Sequence, residues 1–202
     1  MDATMAAIEA IRTRRSVRQL AEKPVPREIV DEVLELACLA PAPHHTRPWR
    51  YVVVSLERRA RLAEAMGAAW HADLERDGHP PQLIEKLLRR STRQIVSAPV
   101  LVLACLTHEG LRDWPDELRR RNEWAMAQQS IGAAMQNLML GAHARGLASY
   151  WISAPLWSPD AVREALELPQ AFEAQAFVVL GYPAAPPRPR PTIDTGKLIL
   201  GR

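Results

Sequence analysis

Glycine is scarce in this chain and nowhere clustered: there are nine in 202 residues, with no G-x-G and no G-x-x-x-x-G-K among them. Dinucleotide loops and P-loops need such glycines to bring backbone N–H groups against phosphate, so both are excluded. Any phosphate must be gripped by side chains. Cysteine is scarcer still. Cys38 and Cys105 stand far apart in apolar contexts, which excludes a disulfide framework and reads as free thiols in a reducing compartment. Lysine is confined to Lys23, Lys86 and Lys197, and the net charge is only +3. That excess is too small and too scattered for a nucleic-acid surface. No run approaches the roughly 18 apolar residues of a membrane span, and "MDATMAAIEAIRTRR" lacks the apolar core of a signal peptide. A cytoplasmic location is expected, without membrane or nucleic-acid partners.

Catalytic signatures are missing too. Ser153 follows an apolar run, but "WISAP" is not G-x-S-x-G, so no serine nucleophile is indicated. His44 and His45 are adjacent, yet no further Cys, His or carboxylate stands nearby at ligand spacing, and His71, His79, His108 and His143 are scattered. No metal site is expected.

Apolar residues and prolines are plentiful. At 48% apolar, 202 residues can bury a real core in one domain, 1–202. Helical periodicity predicts helices over 4–12, 27–39, 57–75, 81–95, 121–146 and 158–166. The long fifth helix is expected to end at Gly146, and the sixth to open with Ser158 as N-cap and Pro159 at its first position. Short apolar runs predict strands near 49–54, 98–106, 147–153 and 176–182. Because the pattern opens on two helices and does not alternate cleanly, an α+β or three-layer domain is favoured over a doubly wound sheet. Seventeen prolines remain, and the tail "PAAPPRPRPTIDTGKLILGR" (183–202) is too rich in them to pack alone.

Two stretches could carry chemistry. "RRSVR" (14–18) would, if extended, set Arg14, Ser16 and Arg18 on one side as two guanidinium forks around a hydroxyl. Taken alone it reads more readily as a solvated arginine run. "APAPHHTRPW" (40–49) is a proline-stiffened loop offering His44, His45 and Arg47, which suits the rim of a small-molecule pocket.

In this order, with "GLASYWIS", "LGYP" and an arginine-bearing tail, these stretches resemble the nitroreductase-like flavoprotein family from about Ile8 to Leu200. "RRSVR" with "APAPHHTRP" resembles one branch, the C-terminal, FMN-binding domain of coenzyme F420:L-glutamate ligase. The resemblance implies an α+β nitroreductase fold, a central mixed or antiparallel sheet flanked by helices, and an intertwined homodimer with FMN at the interface. The tail 183–202 would wrap the partner subunit. By position, Arg14, Arg15, Ser16, Val17 and Arg18 would hold the FMN phosphate and ribityl chain. Ala42 and Pro43 would border the flavin from the neighbouring subunit, Ser153 would lie by the isoalloxazine edge, and Arg190 would close on the phosphate, with Arg188 as the alternative. His44, His45, Arg47 and Asp73 would face a second ligand, coenzyme F420 or its dehydro precursor. No residue is fixed as catalytic, since FMN carries the hydride; His44 and His45 are candidate proton donors.

The implied reaction is reduction of dehydro-F420-0 to F420-0. No ligase domain accompanies the match, so glutamate ligation would belong to a separate polypeptide. Two alternatives stay open: a broad nitro or quinone reductase fed by NAD(P)H, and a non-catalytic flavin- or deazaflavin-binding partner of such a ligase.

Overall fold

The computed structural model describes residues 7–189 and 191–199. In chain order the elements are α1 (Ala7–Thr13), α2 (Arg27–Cys38), β1 (Trp49–Val53), α3 (Leu56–Arg76), α4 (Pro81–Val96), β2 (Val100–Leu106), α5 (Glu117–Ala144), β3 (Ala148–Ile152), α6 (Pro159–Leu166) and β4 (Glu173–Gly181). The four strands form one sheet in the order β1-β2-β4-β3, each pair antiparallel. One parallel bridge, Ser16 to Ser149, extends it beyond β3.

The continuous apolar run of β2 exists because both faces of the sheet are covered. All seven of its residues are buried, and their alternation splits the core in two. Val100, Val102, Ala104 and Leu106 pack with Val30, Val33 and Ala37 of α2 and Ile131, Met135 and Leu138 of α5. Leu101, Leu103 and Cys105 turn the other way, to Leu62 and Met66 of α3 and Val162 and Leu166 of α6. The result is three layers, helix–sheet–helix. Each fully buried aliphatic side chain contributes about 1.5–3 kcal/mol. Burial also pushes the Cys105 thiol up to about 12, so it behaves as a small apolar side chain. Among the described residues, no helix is long and apolar enough to cross a membrane.

Two helix starts differ from the sequence expectation. α5 begins four residues before Arg121, because Asp116 caps it by accepting the Arg119 backbone N–H at 2.9 Å. The added turn is polar and gives no apolar periodicity to read. Ser158 does not cap α6 with its side chain. The preceding 3₁₀ turn, Ala154–Trp157, delivers Ser158 with ψ at 52° rather than the extended value a cap requires. At the other end of α5, Gly146 adopts φ +75° as expected. The Leu147 N–H then reaches back to the Ala142 carbonyl at 2.9 Å.

Tyr182 and Pro183 are half-buried, with Pro183 bridged to Leu20. From Ala184 onward every described tail residue is exposed, including Ile193, Leu198 and Ile199.

Candidate functional site

The arginine run lies along the free side of β3. The Arg14 N–H closes the last turn of α1 on the Ala10 carbonyl at 2.9 Å, and the chain becomes strand-like only afterwards. The Val17 N–H then donates to the Ser149 carbonyl at 3.1 Å. The strict alternation expected for "RRSVR" therefore starts after Arg14. The Arg14 charge faces His143 on α5, while the Arg18 guanidinium lies over the Tyr150 ring, 5.8 Å from its centroid. Ser16 is exposed. Arg15 is half-buried, and its Nη1 is buried with no hydrogen-bond partner among the described residues. A guanidinium nitrogen in that state is poised for an anionic acceptor.

Behind this run, the Thr13 hydroxyl donates to the Glu9 carbonyl at 2.7 Å and stands 2.8 Å from His143 Nε2. Its one hydrogen is committed, so His143 Nε2 is the donor of the second contact. Burial first, and the Arg14 charge second, lower the His143 pKa, with Glu9 opposing. The folded chain thus takes up the His143 proton less readily than the unfolded chain. This contribution is complete above the unfolded value of about 6.5 and is lost as pH falls through it toward the folded pKa. Urea midpoints at pH 8 and 5.5 should separate less for His143→Gln than for the parent chain, and an equal separation would discard the assignment.

The imidazole loop precedes β1 and is held in a strained shape. His44, His45 and Arg47 have φ of 53°, 55° and 46°. Each left-handed residue that is not glycine costs roughly 1 kcal/mol or more, so the surroundings must impose the conformation. They do so from several sides. Pro43–His45 form a 3₁₀ turn. Arg50 Nη1 donates to the carbonyls of Arg47 and Trp49 at 3.2 and 2.8 Å, while its Nη2 pairs with Glu109 at 2.5 Å. The Thr107 N–H donates to the Pro48 carbonyl at 2.9 Å. His44, His45 and Arg47 are exposed on the resulting rim, and Ala42 and Pro43 are half-buried beneath it.

The structure does not bring this loop to the arginine run. They attach to opposite edges of the sheet, β1 and β3, three strand spacings or about 14 Å apart. They also sit at opposite ends: Trp49 pairs with Leu106, whereas Ala148 pairs with Gly181 beside Val100. Six residues of strand, roughly 20 Å, add to the separation. Ser153 does share the arginine edge. It follows the far end of β3, four residues or about 13 Å beyond Ser149, where its exposed hydroxyl accepts from Trp151 Nε1 at 2.9 Å. Asp73, on α3, is engaged by Arg76 at 2.8 Å, and no contact among the described residues joins it to the loop. Arg188 is exposed on the tail, and Arg190 lies outside the described residues.

The connector from β2 to α5 was not singled out by sequence, yet it completes the loop's surroundings. Arg112 Nη2 lies 3.5 Å from His44 Nδ1. Glu123, buried on the sheet-facing side of α5, accepts from Trp114 Nε1 at 3.0 Å. An acid in line with the apolar positions 127, 131 and 134 was the available signal.

The profile of the nitroreductase family matches residues 11–182. A curated relative, the NADH dehydrogenase of Thermus thermophilus, is 29% identical over 218 residues, spanning all of this chain and 97% of that protein. A protein from Desulfovibrio desulfuricans described as a nitroreductase and solved in complex with FMN superposes with a TM-score of 0.75 at 24% identity, covering 98% of this chain and 97% of that one. A BluB-like flavoprotein from Clostridium difficile gives 0.80 at 21%, covering 98% and 99%.

Proposed function

As the chain belongs to the nitroreductase family, we propose that it is an FMN-dependent oxidoreductase that draws electrons from NAD(P)H and works as a homodimer with two FMN sites between its subunits. The observation that carries this reading is the β3 edge, where a buried, unpartnered Arg15 nitrogen and Ser153 stand along one line. The residues fit the cofactor: a phosphate would satisfy the orphaned donor, and about 13 Å of edge accommodates a ribityl chain between phosphate and ring. Arg14, Arg15, Ser16, Val17 and Arg18 hold the phosphate end, Ser153 borders the ring, and Arg188 or Arg190 closes the site. FMN, when bound, supplies the hydride chemistry.

The diagonal separation within one chain supports a site shared between subunits. A two-fold axis can place one protomer's loop, with Ala42 and Pro43, against its partner's arginine edge. The exposed tail and the open side of β1 support the same dimer, each tail covering the other subunit. The FMN complex and the NADH dehydrogenase among its relatives support the cofactor and the donor.

The acceptor is a finer matter. A rim of His44, His45 and Arg47 suits an anionic planar compound, and supports a phosphate-bearing deazaflavin, the dehydro precursor of coenzyme F420, as substrate. His44 and His45 are exposed there as proton donors to it, with Asp73 reaching the second ligand from α3 and a separate ligase acting on the product. Anaerobic incubation of FMN-loaded protein with NADH and dehydro-F420-0 should bleach the flavin and add two hydrogens to the substrate by mass spectrometry. Bleaching with nitroaromatic turnover but no mass change would remove the deazaflavin. FMN that binds but is never reduced would leave a binding partner instead of an enzyme. A colourless protein that gains no FMN on titration would end all three readings.

A further inference from the structure

The β2–α5 connector folds back over the start of α5 and encloses a cavity of about 200 Å³ lined by His108, Leu111, Arg112, Arg120, Glu123 and Trp124. One wall is a flat aromatic surface: the His108 ring stacks on Trp124 with centroids 4.3 Å apart and planes 16° from parallel. The cavity floor is polar but already satisfied. Glu123 is 5% exposed, and its two oxygens accept from Trp114 Nε1 at 3.0 Å and the Arg112 backbone N–H at 3.4 Å. Arg120 is likewise occupied, donating to the carbonyls of Trp114 and Pro115 at 2.9 and 3.3 Å.

Arg112 is different. Its guanidinium has no carboxylate partner among the described residues, although Asp113 is adjacent and also lines the cavity. It lies 5.9 Å from the centroid of the Trp114 ring and 3.5 Å from His44 Nδ1, held at the mouth with its fork available. An available fork beside a flat apolar wall matches a planar ligand with one anionic, two-oxygen group. Size narrows the class. A cavity of about 150 Å³ holds benzene, so this one takes a single ring with a carboxylate and excludes a three-ring flavin.

We propose that this cavity binds a single-ring aromatic carboxylate, its ring against the His108–Trp124 wall and its carboxylate on Arg112. The site stands apart from the flavin reading, because no contact in it requires a cofactor.

Calorimetric titration of the full-length protein with benzoate tests it, against cyclohexanecarboxylate and inorganic phosphate. Saturable benzoate binding is expected, with cyclohexanecarboxylate and phosphate at least about tenfold weaker. Arg112→Gln should weaken benzoate about 10- to 100-fold, the scale of a lost charged hydrogen bond, while FMN content stays unchanged. Trp124→Leu should weaken it similarly; if thermal melting shows that variant unfolded, Arg112→Gln decides. Absent saturation, phosphate binding as tightly as benzoate, or unaltered affinity in Arg112→Gln would each overturn the proposal. A colourless protein that still binds benzoate would keep this site and lose the flavin, and a yellow one that does not would do the reverse.

Discussion

Arg59→Ala is expected to destabilise the fold by about 3 kcal/mol, lowering the thermal midpoint by roughly 6–12 °C for a chain of this length. Arg59 is 3% exposed and lies on α3, inside the helical layer that carries no proposed ligand. Its Nε and Nη2 donate to the Val54 carbonyl at 3.2 Å each, and its Nη1 donates to the Ala98 carbonyl. One guanidinium therefore ties α3 to the chain just after β1 and just before β2. No carboxylate pairs with it among the described residues, and burial lowers its pKa. Two effects oppose each other. Removing a buried charge recovers its desolvation cost, while leaving two carbonyls without their donors costs about 1–3 kcal/mol for each that water cannot reach. The carbonyls should win, because no other side chain there can replace a forked donor. Arg59→Met separates this from packing: it keeps most of the volume and should melt nearly as early as the alanine variant. A methionine variant as stable as the parent would mean that the guanidinium contributes nothing net.

What the sequence disclosed follows the range of the interactions involved. The apolar run of β2 and the three-and-four spacing of α5 are local patterns, and both elements appear where those patterns put them. The start of α5 was missed because Asp116 and the polar turn after it carry a cap, with no apolar period to mark it. The loop's shape was hidden for another reason. Its prolines suggest a stiff extended segment, yet His44, His45 and Arg47 are left-handed, a conformation imposed by Arg50, Thr107 and Pro48 rather than by any glycine. Strand order is the least local property of all. Only the pairing β1-β2-β4-β3 reveals that two stretches about 30 residues apart in sequence occupy diagonal corners of the sheet. Arg112, Trp114 and Glu123 stayed unread because each is an ordinary surface or helix residue until the connector folds onto α5.

Arg14→Ala is expected to weaken FMN binding by about 1.5–3 kcal/mol, roughly 10- to 150-fold, the usual scale for a lost charged hydrogen bond. Loss of binding in single variants cannot say which subunit supplies which contact, but the diagonal arrangement can be tested. If each site joins one protomer's arginine edge to its partner's imidazole loop, a protomer broken at Arg14 and another broken at His44 and Arg47 should rescue each other. Random pairing makes about half the dimers mixed, and each mixed dimer holds one site broken twice and one intact. Co-expression of Arg14→Ala with a His44→Ala, Arg47→Ala chain should therefore recover about a quarter of the parent's active sites, where either chain alone shows almost none. If both halves of a site came from the same chain, every site in every dimer would carry one lesion, and mixing would restore nothing. The 14 Å across the sheet and the 20 Å along it make that second outcome hard to reconcile with the strand order.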